Sequence, residues 1–184
     1  AVRFKRAIRG VASRHGCIAC FMAKPFEGMA GTGMHLHASL GDEQGRNAFA
    51  SDDPSGTPLL RHAIGGLRAT LADGMAVFAP HANSYRRFRA MSYAPVAPTW
   101  GINNRSVSLR VPAGPAASRH VEHRVAGADA NPYLVAALVL GGMQHGIENA
   151  IDPGPPVVGN GYEQASPGDL PTDWRAALDR AAPS

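Results

Sequence analysis

The stretch SVSLRVPAGPAASRHVEHRV, residues 106–125, alternates apolar and polar side chains on either side of a turn with two prolines and a glycine. Successive side chains of a β-strand point to opposite faces, so each half of the stretch presents one apolar and one polar face. The apolar faces hold Val107, Leu109, Val111, Val121 and Val125, with Arg119 and His123 beside the last two. We therefore predict two strands, over 106–112 and 119–125, that pack on a core on one side only.

A third strand is predicted in MHLHASL, residues 34–40, which also alternates strictly. The polar faces of the three strands hold His35, His37, Ser39, Ser106, Ser108, Arg110, His120, Glu122 and Arg124. One solvated face is common in antiparallel sheets, and such faces are usually rich in Lys, Glu and Thr. Imidazole and guanidinium groups instead bind metals and oxyanions. This composition favours a functional site over the alternative of a plain solvated face.

One imidazole and one carboxylate on this face, His35 and Glu122, are the predicted metal ligands. Such a pair suits Mg²⁺ or Mn²⁺ when phosphate oxygens complete the shell. A zinc site on His35 and His37 would need a third ligand that the sequence does not mark clearly. Four arginines are predicted to clamp carboxylates and phosphates through paired N–H donors: Arg87, Arg105, Arg110 and Arg124. Arg86 and Arg89 are predicted to be solvated.

Two threonine- or asparagine-plus-proline pairs mark the starts of long helices. Thr57 and Pro58 form a cap and a first-turn proline, and the apolar spacing that follows predicts one continuous helix to residue 78. Asn131 and Pro132 repeat the signal and open a helix to about residue 149, whose apolar first half we expect to be buried. The helix that begins at Pro58 carries its apolar side chains at Leu60, Ile64, Leu67, Leu71, Met75 and Phe78.

The remaining segments give weaker signals. Residues 2–15 have the apolar spacing of a helix, with Gly16 as its C-terminal cap. The chain would then begin inside a helix, where a natural start rarely falls, so we expect the 184 residues to be part of a longer protein. Further strands are predicted over 17–22 and 96–100. A proline- and glycine-rich loop is predicted over 152–168, followed by a weak helix.

The two cysteines, Cys17 and Cys20, form a C-x-x-C inside the apolar segment predicted as a strand. A redox pair and half of a zinc site are the alternatives for this spacing. Strand residues three apart point to opposite faces, however, and cannot both bind one metal. We therefore predict that the pair is neither a redox couple nor half of a zinc site.

Length and composition indicate one domain, because 184 residues with 45% hydrophobic content can bury one sizeable core. No apolar run is long enough for a membrane helix and no secretory signal is present, so we expect a cytoplasmic protein without membrane contact. Sixteen of the 18 basic residues are arginine, which favours partners with planar carboxylates or phosphates. The basic first helix and a pI near 9.5 suggest a nucleic-acid-binding module as an alternative, but 7% aromatic content is poor for base stacking.

Five motifs resemble those of the glutamine synthetase family, in the family's order and at compatible spacing. They are KPFEGMAGTGMHLHASL (24–40), NSYRRF (83–88), NNRSVSLRVP (103–112), VEHR (121–124), and ANPYL (130–134) with GIENAIDPG (146–154). A single motif of this kind is weak, whereas five in register are specific. The resemblance covers residues 1 to about 165, and 166–184 form a weakly diagnostic tail.

The resemblance implies that residues 1–184 are part of a C-terminal catalytic domain. The implied fold is α+β, a mostly antiparallel sheet backed by helices that is shared distantly with guanidino kinases. The implied activity is an ATP-dependent ligation: metal-bound ATP phosphorylates the γ-carboxylate of glutamate, and an amine then displaces phosphate. Mg²⁺ or Mn²⁺ is the implied cofactor, ATP the co-substrate, and stacked rings of identical subunits the implied assembly.

Roles also follow from the resemblance, residue by residue. The metal ligands are His35 and Glu122, and the nucleotide contacts are His37, Ser39 and Arg110. Gly31 corresponds to the loop that holds the α-amino end of glutamate, Arg87 and Arg124 to arginines that bind its carboxylates, and Arg105 with Arg110 to those that hold the transferred phosphate and ATP. Arg105 and Arg87 are the predicted catalytic residues.

The sequence departs from the family pattern in ways that bear on the substrate. Ammonia-using members carry a glutamate just before an Ala-Pro pair, where this chain has Tyr93 before Ala94 and Pro95. We therefore expect an organic amine such as putrescine, with ammonium as the alternative, and count Tyr93 among the substrate-binding residues. A non-catalytic relative is a further alternative, against which the retained His35, Glu122 and four arginines argue. Ala30 replaces the asparagine usual before the glutamate-loop glycine.

The remaining metal-binding glutamates of the family, and the domain that completes each site across a subunit boundary, precede the segment that this chain resembles. We therefore predict that the 184-residue chain alone does not catalyse the reaction. Tyr162, in GNGYE, falls near a tyrosine that some bacterial members adenylylate. We predict an ordinary loop tyrosine there.

Overall fold

A four-stranded sheet lies at the centre of the protein, seen in a computed structural model that describes residues 1–164, 166 and 169–182. The strands are β1 (Leu36–Ala38), β2 (Trp100–Ile102), β3 (Leu109–Val111) and β4 (Val121–His123), in the order β1-β4-β3-β2. β4 pairs antiparallel with both of its neighbours, and β2 pairs parallel with β3. The predicted mostly antiparallel α+β fold is confirmed. β1, β3 and β4 are shorter than their alternating segments, and β2 shares only Trp100 with the strand predicted over 96–100.

The first helix, α1, spans Val2–Arg14 and ends as predicted at Gly16, whose φ is +67°. The N–H of Gly16 donates to Ser13 O at 3.2 Å and that of Cys17 to Ala12 O at 2.9 Å, the paired bonds of a glycine-terminated helix. No residue of α1 is buried, so its apolar side chains are exposed in this structure.

The strand predicted over 17–22 is wrong. The segment runs without regular structure, and none of the four strands pairs with it. An apolar run forms a strand only where a neighbouring strand offers backbone hydrogen bonds. β1 is an edge strand that pairs with β4, and residues 17–22 do not pair with its other edge. Cys17 and Cys20 are both exposed and free.

The helix predicted from Pro58 begins as expected but is not continuous. Thr57 Oγ1 accepts a hydrogen bond from the Leu60 N–H at 3.4 Å, and Pro58 is the first residue of α2, Pro58–Thr70. The chain then turns and resumes as α3, Met75–Phe78. At the break, a methyl group on Gly74 would lie 2.6 Å from the Phe78 ring, so a side chain has no room there. All six apolar positions of the predicted face are nonetheless buried.

The next helix, α4, spans Pro132–Glu148, and Asn131 Oδ1 accepts the Tyr133 N–H at 3.0 Å. Glycines bring α4 and α2 into backbone contact: a methyl group on Gly146 would overlap His62 O and lie 2.5 Å from Gly66 N. The expected burial of the whole first half of α4 is wrong. Only the face toward α2 is covered, and the other face exposes Tyr133, Leu134, Leu138 and Leu140.

The core lies between the sheet and the helices α2, α3 and α4. Val121 and Leu109 on the core face of the sheet are fully buried, and His123 stacks on Phe78 with ring centroids 4.5 Å apart. Because the helices cover one face only, the opposite face of β1, β3 and β4 stays open. This is the polar face predicted from the alternation.

The segment after α4 leads to a final helix. It contains a 3₁₀ turn over Gly161–Gln164 and ends in α5, Trp174–Ala181, which Asp173 caps through the Ala176 N–H at 2.9 Å. Positions 165, 167 and 168 of the predicted loop lie outside the described residues. Among the described helices, none combines the length and apolar character needed to cross a membrane.

Candidate active site

A single buried carboxylate, that of Glu122, organises the polar face of the sheet. In the strand register, Glu122 lies opposite His37 on β1 and Arg110 on β3. Its Oε1 accepts Arg124 Nη1 at 2.9 Å and lies 2.9 Å from His35 Nδ1, while its Oε2 accepts Arg110 Nη1 at 2.9 Å. Only 3% of Glu122 is exposed. Four of the side chains that the alternation assigned to one face, those of His35, Arg110, Glu122 and Arg124, therefore meet at one point.

The charges around Glu122 set its protonation and that of His35. Burial by itself raises the pKa of Glu122, but the hydrogen bond from Arg110 and the charges of Arg124 and Arg110 outweigh it and hold that pKa below its usual value. Burial, followed by the charge of Arg124, lowers the pKa of His35. The pair is thus an ionised carboxylate and a neutral imidazole at neutral pH, which are the forms that bind metal ions.

The donor set around His35 and Glu122 fits part of a metal shell. One ring nitrogen and one carboxylate oxygen stand 2.9 Å apart, and both belong to groups that Mg²⁺ and Mn²⁺ accept. Over the described ranges, no group of three or more His, Cys, Asp or Glu side chains is placed to hold a metal ion. The two residues could therefore hold a divalent ion with further ligands from phosphate oxygens, water or residues outside the described ranges.

Two neighbouring cavities with shared lining residues open beside this carboxylate. The first, of about 550 Å³, is lined by Gly31, Arg87 and the loop that carries Tyr93. The second, of about 370 Å³, is lined by Arg105, Arg110 and Glu122. His35, Tyr93 and Arg124 line both cavities. The residues expected to bind glutamate thus face one cavity, and those expected to bind phosphate face the other.

Arg87 closes the inner wall of the first cavity. It ends the 3₁₀ helix Ala82–Arg87, is 6% exposed, and donates from Nη1 to Val125 O at 3.2 Å. Burial lowers its pKa, and the negative charge of Asp129 opposes this shift. A methyl group on Gly31 would stand 3.1 Å from Arg87 Cγ, and one on Gly33 would stand 3.3 Å from its Nη2. Gly31 and Gly33 thus leave room for the Arg87 side chain, although the tightest contact at Gly31 is with Ala23 O, 2.8 Å from such a methyl group.

Tyr93 lies at the junction of the cavities on a loop with an unusual backbone. Tyr93 has φ of +58° and Met91 has φ of +62°, a region that non-glycine residues rarely occupy. Ser92 Oγ holds the loop by contacts with Arg87 O at 2.9 Å and Arg89 O at 2.6 Å. The Tyr93 side chain is 72% exposed, so it stands in the opening and not in the wall.

Some predicted residues stand apart from this centre. His37 is exposed, its Nδ1 lies 2.9 Å from His120 Nε2, and its Nε2 lies 3.9 Å from Glu122 Oε1. Ser39 follows β1, is exposed, and lines neither cavity. Ser108, predicted on the open polar face, is instead fully buried, because its hydroxyl donates to Ala97 O at 2.6 Å.

Sequence reasoning missed several residues of the site. Glu27 lines the first cavity with Arg89, which lies 3.0 Å from it, and Arg86 lies 3.6 Å from the same carboxylate. Both arginines are exposed, as predicted. Asp129 and Ser92 gave no signal, because each acts through partners distant in sequence or through loop geometry. The position of Asp129 just before the Asn131-Pro132 helix start was the one available hint.

Comparisons with known proteins agree on one family. The family model described as "Glutamine synthetase, catalytic domain" matches residues 1–183. The chain is 44% identical over 164 residues to gamma-glutamylputrescine synthetase PuuA of Escherichia coli (strain K12), a match that covers 89% of this chain and 35% of the relative. It is 38% identical to glutamate–isopropylamine ligase of Pseudomonas sp, covering 99% of this chain and 40% of the relative.

A solved structure, apo GmaS without ligand, has the same fold. It matches with a TM-score of 0.82 and 31% identity over 97% of this chain and 42% of that one. The chain thus spans about two fifths or less of the proteins that it matches.

Proposed function

The chain belongs to the glutamine synthetase family through its catalytic domain, and we propose that its parent protein joins the γ-carboxyl of glutamate to an amine at the expense of ATP. A γ-carboxylate oxygen attacks the terminal phosphorus of ATP, and ADP leaves. The amine nitrogen then attacks the γ-carbonyl carbon, loses a proton, and expels phosphate. The observation that carries the proposal is the pair of neighbouring cavities that share His35, Tyr93 and Arg124, one suited to a small dicarboxylate and one to phosphate.

The arginines supply the electrostatics that this chemistry needs. Arg87 and Arg124 form the proposed clamp on glutamate's carboxylates, because guanidinium groups bind carboxylates through paired N–H donors. Arg105 and Arg110 line the second cavity, where they would stabilise charge that develops on the transferred phosphoryl group. Fixed donors of this kind favour the transition state because they need no reorganisation as charge moves.

His35 and Glu122 would supply two ligands to a Mg²⁺ or Mn²⁺ ion, which when bound would neutralise charge on phosphate oxygens. The ionised state of Glu122 and the neutral state of His35 support this assignment. His37 and Ser39 are proposed to contact the nucleotide at the open edge of β1.

We further propose that the amine is organic, with putrescine as the leading candidate. Tyr93 stands in the opening where a carboxylate would favour ammonium, and an exposed phenol offers an apolar ring and one hydroxyl to an alkyl amine. The names of two relatives, a putrescine ligase and an isopropylamine ligase, support an organic acceptor. An ammonium-using glutamine synthetase is the second candidate.

Amine-dependent ADP release by the parent protein tests the proposal, with ATP, L-glutamate, a divalent metal, and ammonium, putrescine, longer polyamines or ethanolamine. We expect faster turnover with an organic amine than with ammonium. Tyr93→Glu is expected to shift the preference toward ammonium, whereas Tyr133→Glu, on an equally exposed tyrosine of α4, should leave it unchanged. A wild-type preference for ammonium would support the second candidate, and no amine-dependent release would exclude both.

Two further properties are proposed for the parent protein: a cytoplasmic location, where ATP is plentiful, and a ring-like homo-oligomeric assembly. For the 184-residue chain alone we propose a last property, an absence of catalysis. The last follows from the incomplete metal shell at His35 and Glu122 among the described residues. Normal turnover by a purified sample of verified 184-residue mass would contradict it. Light scattering of the parent would measure the assembly.

A further inference from the structure

The guanidinium of Arg87 is a buried cation with few direct partners. Its side chain is 6% exposed and its described hydrogen bond is the one from Nη1 to Val125 O at 3.2 Å. A buried charge is costly unless an opposite charge and hydrogen bonds compensate it. Lys24 and Arg89, which line the same cavity, add positive charge and cannot compensate Arg87. Glu27, the acidic side chain that lines this cavity, is paired with Arg86 and Arg89, so the charge that compensates Arg87 is sought on its protein side.

Asp129 occupies that side. A methyl group on Gly127 would overlap Asp129 Oδ1 and stand 3.2 Å from Arg87 Nη1, so the carboxylate and the guanidinium face each other across the space left by this glycine. Asp129 Oδ1 is buried and has no hydrogen-bond partner within the described part of the chain. Its charge acts on Arg87 through space without a direct hydrogen bond.

The second oxygen of Asp129 holds the backbone that carries Arg87. Ser84 Oγ donates to Asp129 Oδ2 at 2.5 Å, and His81 Nδ1 lies 3.4 Å from the same oxygen. Ser84 is fully buried and belongs to the 3₁₀ helix Ala82–Arg87. One carboxylate thus anchors the helix through Oδ2 and faces its terminal guanidinium with Oδ1.

We propose that Asp129 is a positioning residue that sets the orientation of Arg87 for binding the carboxylate of the substrate, with Gly127 as the spacer between them. The inference rests on the proposed function, because it concerns how Arg87 meets glutamate. A plain structural role, in which Asp129 only caps the 3₁₀ helix through Ser84, is the competing explanation.

The test compares Asp129→Asn with Ser84→Ala in the parent protein, through L-glutamate binding by calorimetry and steady-state ADP release. Asparagine keeps an oxygen for Ser84 but removes the charge that faces Arg87, and Ser84→Ala removes the anchor but keeps that charge. We expect Asp129→Asn to raise the glutamate KM and Kd by about tenfold while the ATP KM stays within about twofold. Ser84→Ala should lower the Tm and raise the glutamate KM much less.

Equal effects of the two variants on glutamate affinity, or no effect of Asp129→Asn, would overturn the inference. If Asp129→Asn does not fold, Gly127→Ala replaces it. The added methyl group moves the carboxylate and the guanidinium but removes neither charge. A glutamate Kd unchanged in Gly127→Ala would then overturn the inference. Wild-type protein that neither binds glutamate nor releases ADP would overturn the proposed function as well, whereas normal wild-type activity separates the two.

Discussion

Replacing Gly146 by alanine should destabilise the fold, although alanine is the better helix former. A glycine-to-alanine change in a helix gains up to about 1 kcal/mol from propensity alone. At Gly146 the new methyl group would overlap His62 O and lie 2.5 Å from Gly66 N, and both are backbone atoms of α2 that cannot rotate away. The helices must separate, and overpacking of this kind costs about 1–3 kcal/mol.

Gly141 provides a matched control in the same helix, since a methyl group there has no atom within 4 Å. We expect Gly141→Ala to gain about 0.5–1 kcal/mol and Gly146→Ala to lose up to about 2 kcal/mol, a difference of about 1–3 kcal/mol. Urea unfolding measures both, with the fluorescence of buried Trp100 and far-ultraviolet circular dichroism as probes and equal m-values as a check on two-state behaviour. A Gly146→Ala protein as stable as Gly141→Ala would refute the close approach of α2 and α4.

Two other expectations concern buried charge. Glu122→Ala should lose about 3 kcal/mol or more of unfolding free energy in urea, because two arginines lose their shared counter-charge. Asp73→Ala, which breaks an exposed ion pair, should lose less than about 1 kcal/mol. Equal losses in the two variants would contradict this expectation. Burial lowers the pKa of His123 from its ordinary 6.5 to about 3, so the folded state keeps it neutral while the unfolded state takes up a proton. Stability from this residue is complete above pH 6.5 and declines as the pH falls toward 3, by about 2 kcal/mol between pH 7 and 5, and His123→Leu should flatten that slope in pH-dependent unfolding; an unchanged slope would disprove it.

The sequence predicted best where one face of an element meets the core. Alternation around Glu122 and His35 gave the correct face for both, because each strand has helices behind it and open space in front. The same rule assigned His123 to the core side, where the structure buries it.

Long-range partners decided what the sequence could not predict. The apolar run over 17–22 has no strand beside it, and the first half of α4 is apolar on two faces while only one meets α2. Asp129 acts on a serine 45 residues away, a pairing that no local pattern encodes. The positive φ of Tyr93 likewise follows from the path of its loop and not from its residue type.

The contacts of Glu122 make anion binding at this surface an exchange of partners. Arg110 and Arg124 already share that carboxylate, so an incoming phosphate or carboxylate competes with a resident anion for the same donors. The gain in affinity is smaller than at a free arginine, but the guanidinium groups lose little rotamer freedom when the ligand arrives. Such a surface favours rapid release of strongly charged ligands over strong retention of them.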